Sequence, residues 1–218
     1  MYGYVKVGSA VPKLRVADCV YNKEEILKLV AAAAAKQVRV LSFPELSVTG
    51  YTCADLFFQT PLLHAAEQAI QEIAEATKAL NIFLLIGAPI AVDNQMFNCA
   101  VALYRGKLLG IVPKTHIPNY SEFYEERWFA SADDLLTEEI TYAGQNVPIG
   151  ADLIFAAADF PALKIGVEIC EDLWVPIPPS SYLSLYGATL LLNLSASNEL
   201  ASKPGYRRQL VSQQSARC

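Results

Sequence analysis

The chain has 218 residues, 53% of them hydrophobic and 18% charged, which is enough apolar material to bury a sizeable core and reads as one domain over residues 1–218. A net charge of −5 argues against nucleic acid or an anionic membrane surface as the main partner. Five cysteines without a CxxC pair argue against a disulfide framework and against a structural zinc site, and fit a reducing cytoplasm.

The opening Met1-Tyr-Gly-Tyr-Val-Lys-Val-Gly-Ser9 has no charged region followed by a long apolar run, so no signal peptide is expected. No stretch reaches about 18 uninterrupted apolar residues, so no membrane span is expected. Tyr4 to Val11 predicts a first strand, and Asn22 with Glu24 and Glu25 predicts the cap of a helix ending near Lys36. Val38 to Phe43 predicts a short buried strand that stops at Pro44, and Gly50-Tyr51 a turn. The apolar spacing from Leu62 through Ile73 to Leu80 predicts a helix over Pro61 to Leu80, followed by a strand from Ile82 to Ile86. Phe97 to Tyr104 and Leu108 to Pro113 predict a hairpin joined through Arg105-Gly106-Lys107. Lys114 to Asp134 is polar, aromatic and aperiodic, which suggests an ordered functional loop. Strands are predicted at Leu153 to Ala157, Leu163 to Ile169 and Thr189 to Leu194, with one or two helical turns near Tyr182 to Tyr186. Strands alternating with helices, then a hairpin, make the chain α/β with mixed sheets.

The chain is organised around Leu163-Lys-Ile-Gly-Val-Glu-Ile-Cys170-Glu-Asp-Leu-Trp174, a β-type run that delivers one cysteine to its end and stops at two acids. Cys170 then stands at a strand's C-terminal edge, where open α/β sheets place their chemistry. A free cysteine is usually a small buried hydrophobe, and Cys19, Cys53, Cys99 and Cys218 are read that way. A nucleophilic role needs a base and an anion stabiliser, because a thiol is only slightly ionised at neutral pH. Glu45 and Lys114 also follow apolar strands within one or two residues. Each alone is a solvated strand-end charge. If the three edges converge, Glu45 takes the thiol proton, Cys170 attacks a carbonyl, and Lys114 with a backbone N–H just after Cys170 stabilises the oxyanion.

Phe43-Pro-Glu45-Leu-Ser-Val-Thr-Gly50-Tyr51, Pro113-Lys114-Thr-His-Ile-Pro118-Asn119-Tyr120 and Glu168-Ile-Cys170-Glu171-Asp172-Leu-Trp174 resemble the three signature segments of the nitrilase superfamily of carbon–nitrogen hydrolases. Asp55-Leu-Phe57, Phe123-Tyr-Glu125-Glu-Arg127-Trp-Phe129 and Asn193-Leu-Ser-Ala-Ser197 are most similar to the N-terminal glutaminase domains of glutamine-dependent NAD synthetases. The resemblance runs over essentially the whole chain. It implies an α-β-β-α sandwich that hydrolyses an amide through a thioester, with Glu45 as general base, Lys114 as oxyanion and orienting lysine, and Cys170 as nucleophile. It further implies that Glu125 helps place the lysine, and that Tyr51, Tyr120, Glu171 and Ser197 form the substrate pocket. Glu171 with the Tyr120 and Ser197 hydroxyls can accept from the α-amino group of glutamine. No cofactor is expected for the amide step. ATP and magnesium are expected only for a C-terminal synthetase domain outside this chain, and a homo-oligomer is expected.

From Pro204 the chain is helix-like and stops at Cys218 without a cap, glycine or proline, so the amidase domain is expected to be truncated. Other readings are a stand-alone amidase on another small amide, and a non-catalytic interaction domain of the same fold. A Cys–His protease using His116 fits poorly, because nothing in the sequence orients that histidine.

Overall fold

The computed structural model describes residues 3–218. Its elements are β1 (Val7–Ser9), α1 (Cys19–Ala35), β2 (Val40–Ser42), α2 (Thr60–Thr77), β3 (Phe83–Val92), β4 (Gln95–Tyr104) and β5 (Lys107–Pro113). They continue with β6 (Glu139–Tyr142), β7 (Gln145–Pro148), β8 (Ile154–Ala156), β9 (Lys164–Ile169), α3 (Pro179–Leu185), β10 (Leu190–Leu194) and α4 (Lys203–Arg217). One sheet has the order β1-β2-β3-β4-β5, parallel through β3 and antiparallel beyond it. The other has the order β10-β9-β8, with β10 parallel and β8 antiparallel to β9.

Alternation along the strands explains the layering, because successive side chains point to opposite faces. Leu84 and Ile86 of β3 and Val101 and Leu103 of β4 join a core with Ile26, Val30, Ala66, Ile70 and Ile73 of α1 and α2. Phe83 and Leu85, with Ala100 and Ala102, join a second core with Ile165, Val167, Ile169 and Leu194 of the other sheet. Beyond that sheet, α3 closes on β9 over Gly166, where an added Cβ would lie 3.1 Å from the Leu183 side chain. Helix α4 is tied to α3 by Gln214 Nε2, which donates to Ser180 Oγ at 2.9 Å and Ser181 Oγ at 3.1 Å. The result is the α-β-β-α sandwich with mixed sheets.

Several boundaries differ from the sequence reading. Helix α1 starts at Cys19, capped by Asp18, whose carboxylate accepts from the Tyr21 N–H at 3.0 Å. Asn22 is instead buried, and its amide donates to the carbonyls of Arg15 and Val48. Strand β3 continues past Ile86 through Pro89 to Val92. The ring is tolerated there because β2 pairs only with Phe83–Leu85, which leaves one edge of β3 without a strand partner. The connections Asp93-Asn94 and Arg105-Gly106 both have positive φ, so each is a two-residue turn matched to strand twist, the second one residue shorter than expected. The sequence pattern gave no element between Asp134 and Leu153. The β6–β7 hairpin stands there, turning at Ala143-Gly144. No helix among the described residues is long and apolar enough to cross a membrane, and all five cysteines are free thiols.

Candidate active site

The three stretches singled out in the sequence end at one place. After β2, Pro44 stops the ladder and the chain folds into a tight turn, with the Gly50 N–H donating to the Leu46 carbonyl at 2.8 Å. This turn presses on the middle of β3. A Cβ at Gly87 would lie 2.3 Å from Leu46 N and 2.6 Å from Pro44 O, so only glycine lets the Glu45 turn dock there. Lys114 extends β5 by one rung, its N–H donating to the Asn98 carbonyl at 2.8 Å. Cys170 is the first residue after β9. Its φ of +45° turns the chain sharply into a 3-10 segment, Cys170–Leu173.

Asp172 locks that turn to the Lys114 loop. Its Oδ2 accepts from the Ile169 N–H at 2.9 Å, and its Oδ1 from the N–H groups of His116 at 2.7 Å and Thr115 at 3.2 Å. Burial pushes the Asp172 carboxyl up to about 7 against these donors.

The charged centre is almost dry, with exposure of 0% at Lys114, 1% at Glu45, 2% at Glu125 and 8% at Cys170. Lys114 Nζ donates to Glu45 Oε1 at 2.7 Å and to Glu125 Oε2 at 2.8 Å. Glu45 is held on both oxygens: Asn98 Nδ2 donates to Oε1 at 2.7 Å and the Ala196 N–H to Oε2 at 3.0 Å. The next residue back, Ser195, donates its hydroxyl to Cys170 Sγ at 3.4 Å. The segment after β10 therefore bridges the carboxylate and the thiol.

One ammonium between two carboxylates explains the proton affinities. Burial pulls Lys114 down, but the charges of Glu45 and Glu125 outweigh it, and the ammonium is held above its ordinary value. Glu125 is raised, by burial first and then by the charge of Glu45, despite its bonds from Lys114 and Tyr51. Cys170 is pushed up to about 12, by burial first and Glu45 second, with Lys114 pulling the other way. Burial first, and the neighbouring carboxylates after it, thus favour the neutral form of the thiol.

A cavity of about 410 Å³ opens over Cys170, and all four residues expected to form a substrate pocket, Tyr51, Tyr120, Glu171 and Ser197, line it. Tyr51 presents its ring there, since its hydroxyl donates to Glu125 Oε1 at 2.6 Å. Tyr120 donates to Glu171 Oε1 at 2.9 Å, and its phenol is pushed up to about 12 by burial and by that partner. Ser197 Oγ accepts from Arg207 at 3.4 Å. His116 gives its backbone to Asp172 and lines a neighbouring groove, so no Cys–His pair forms over the thiol. Sequence reading missed Asn98, Asp172 and the Ser195-Ala196 pair. Asn98 had a signal of its own, a lone amide in the apolar run Phe97–Tyr104.

Known proteins share this arrangement of elements. The chain is 38% identical over 217 residues to the glutamine-dependent NAD(+) synthetase of Mycobacterium tuberculosis, a match covering 100% of this chain and 32% of that one. It thus spans about a third of the length of the curated relatives it matches. A crystal structure of a glutamine-dependent NAD(+) synthetase from Cytophaga hutchinsonii superposes with a TM-score of 0.84 at 30% identity, over 96% of this chain and 33% of that one. An amidase from a Nesterenkonia species shares the fold, with a TM-score of 0.74 at 18% identity over 98% of this chain and 73% of that one. The carbon-nitrogen hydrolase profile matches residues 7–218, and the chain belongs to the carbon–nitrogen hydrolase family.

Proposed function

We propose that this chain hydrolyses the side-chain amide of glutamine through a thioester on Cys170 and supplies the ammonia to an ATP-dependent synthetase unit that makes NAD. The observation that carries the reading is the buried Glu45–Lys114–Glu125 cluster beside the Cys170 thiol, under a cavity whose wall presents Glu171 and Tyr120. The relatives named above are glutamine-dependent NAD(+) synthetases, which supports the choice of amide.

The steps follow from the proton affinities. Glu45 accepts the Cys170 proton as Sγ attacks the amide carbon, so the thiolate exists only as its bond forms. The carbonyl oxygen gains the negative charge and is met by the Lys114 ammonium and the Glu171 N–H. Glu45 returns the proton to the leaving nitrogen, and ammonia departs from the acyl-enzyme. Water, deprotonated by the same carboxylate, then attacks the thioester and releases glutamate and the thiol. Glu125 keeps Lys114 aimed throughout, and Tyr51 fixes Glu125. The amide step needs no cofactor, whereas ATP and magnesium belong to the synthetase step.

In the full-length protein, Cys170→Ala is expected to abolish glutamine-driven NAD formation and leave ammonia-driven formation intact. A folded variant that lost both activities would overturn this division of labour. Turnover of simple aliphatic amides equal to that of glutamine would favour a general amidase.

A further inference from the structure

Sulfur becomes negatively charged twice in the proposed reaction, as the thiol gives up its proton and again as the thioester breaks. The carbonyl oxygen is met by two donors at these moments, whereas the sulfur needs a donor of its own. Lys114 Nζ, Asn98 Nδ2 and the Ala196 N–H all donate to Glu45 or Glu125. They hold the base in place and are not aimed at the nucleophile.

The register of the second sheet brings a donor to the sulfur. Strands β9 and β10 run parallel with Ile169 beside Leu194, so the next residue of each, Cys170 and Ser195, leaves the sheet next to the other. Asn193 pins this register, its Nδ2 donating to Glu168 Oε1 and to the Cys170 carbonyl, each at 3.4 Å. Ser195 Oγ then reaches Cys170 Sγ at 3.4 Å and accepts from the Ser197 N–H at 3.3 Å. A hydroxyl has a single proton, and a backbone N–H bonded to its oxygen turns that proton away from itself. The Ser197 amide therefore sets Ser195 as donor and the sulfur as acceptor, and it polarises the hydroxyl in that direction.

We propose that Ser195 is a catalytic residue whose hydroxyl stabilises the sulfur anion in both halves of the amide hydrolysis. The inference rests on the reading of Cys170 as the nucleophile. Ser195 keeps its own proton throughout. In the first half the Cys170 proton passes to Glu45 while the S–C bond forms. In the second half the S–C bond breaks, its electron pair returns to sulfur, and Glu45 returns the proton. A hydroxyl bonds a thiolate more strongly than it bonds a thiol or a thioester sulfur, so its effect falls on the barriers and not on substrate binding. The alternative is that Ser195 only shapes the segment that carries the Ala196 N–H to Glu45.

The test uses the full-length protein with Ser195→Ala and Ser195→Thr, each made in the parent and in a Glu45→Gln background. Both kcat and KM for ammonia release from L-glutamine are measured in the parent background. In both backgrounds the rate of Cys170 alkylation by iodoacetamide is followed by mass spectrometry between about pH 7 and about pH 9, where it reports the thiolate fraction. Ser195→Ala is expected to lower kcat roughly ten- to a hundredfold with KM within about twofold, the usual weight of a hydrogen bond to a charged group. Alkylation should slow roughly three- to tenfold, less than the thiolate fraction falls because a more basic thiolate is also more nucleophilic. Ser195→Thr, which keeps the hydroxyl, should recover most of both rates. The same slowing in the Glu45→Gln background places the hydroxyl on the sulfur itself. Slowing that needs Glu45 would mean that Ser195 acts through the carboxylate, which overturns the assignment. An unchanged kcat, or alkylation that Ser195→Ala does not slow, overturns it as well. A parent protein that releases no ammonia from glutamine overturns the proposed function, and the alkylation rates still decide whether Ser195 serves the sulfur.

Discussion

The reactive centre and the mouth above it are built by opposite means. Glu45, Lys114 and Cys170 are fixed at strand ends, and with Glu125 they are at most 8% exposed, each held by hydrogen bonds within the cluster or from neighbouring groups such as Asn98, Tyr51, Ser195 and the Ala196 N–H. The mouth comes from loops and the first turn of α4, and its Tyr120, Leu200 and Tyr206 are more than half exposed. Bond-making groups must stand in place before the substrate arrives, because reorganising buried charge during the reaction is expensive. Recognition tolerates a softer surface that can close around a ligand. Substitutions should therefore separate the two regions, with stability and kcat changing at the centre and KM at the mouth.

The largest effect is expected from Lys114→Met, which leaves Glu45 and Glu125 facing each other without a cation. Removing one partner of a buried ion cluster typically costs about 3–5 kcal/mol. Two unpaired buried acids have raised proton affinities in the folded state. Their penalty is thus smallest at low pH, where both are protonated, and grows as pH rises through the raised values. Denaturant unfolding at about pH 8 and about pH 5.5 should show a clearly larger deficit at the higher pH. A deficit independent of pH would mean that the cluster is not held together by charge.

Glu45→Gln is expected next, with kcat reduced on the order of 10²–10⁴-fold. The same change removes the second-largest cause of the raised Cys170 affinity, so the thiol should titrate below the value of about 12 in the parent protein. Thiolate absorbance at about 240 nm, followed against pH with Cys170→Ala as reference, reads this directly. An unchanged titration would show that the carboxylate does not face the thiol.

The smallest effect is assigned to the mouth. Tyr120→Phe removes one hydroxyl from a half-exposed pair with Glu171, and KM for glutamine should rise about two- to tenfold with unfolding unchanged. A fall in kcat at constant KM would move Tyr120 from the mouth into the centre.

The same division governs how much could be read from the sequence. Glu45, Lys114 and Cys170 each interrupt an apolar run, and a charge or thiol at a strand's last rung is visible as a change of pattern. The order of strands and helices pointed only to α/β with mixed sheets, and the four-layer sandwich was implied by the resemblance of the three motif segments. What escaped were partners defined by distance in space. The Ala196 N–H reaches Glu45 across 151 positions, and no property of an alanine announces it. The Asp172 bond to His116 spans 56 positions, so that carboxylate read only as the end of a strand. The β6–β7 hairpin escaped for a different reason. Its burial does alternate, with Glu139, Thr141, Asn146 and Pro148 exposed, but each strand is only four residues long and the second ends in proline, too short a pattern to stand out in the sequence.

The backbone at Cys170 carries a further consequence. A left-handed residue other than glycine is disfavoured by about 1–2 kcal/mol, and Leu46, beside Glu45, is in the same region at +51°. Glycine would sit at position 170 more comfortably than cysteine, so the thiol is retained against the preference of its own main chain. Under the proposed mechanism, stability and turnover favour different residues at this one position. If Cys170 is the nucleophile, as proposed, a lineage relieved of the need to cleave amides would be expected to lose the thiol early and become slightly more robust for it.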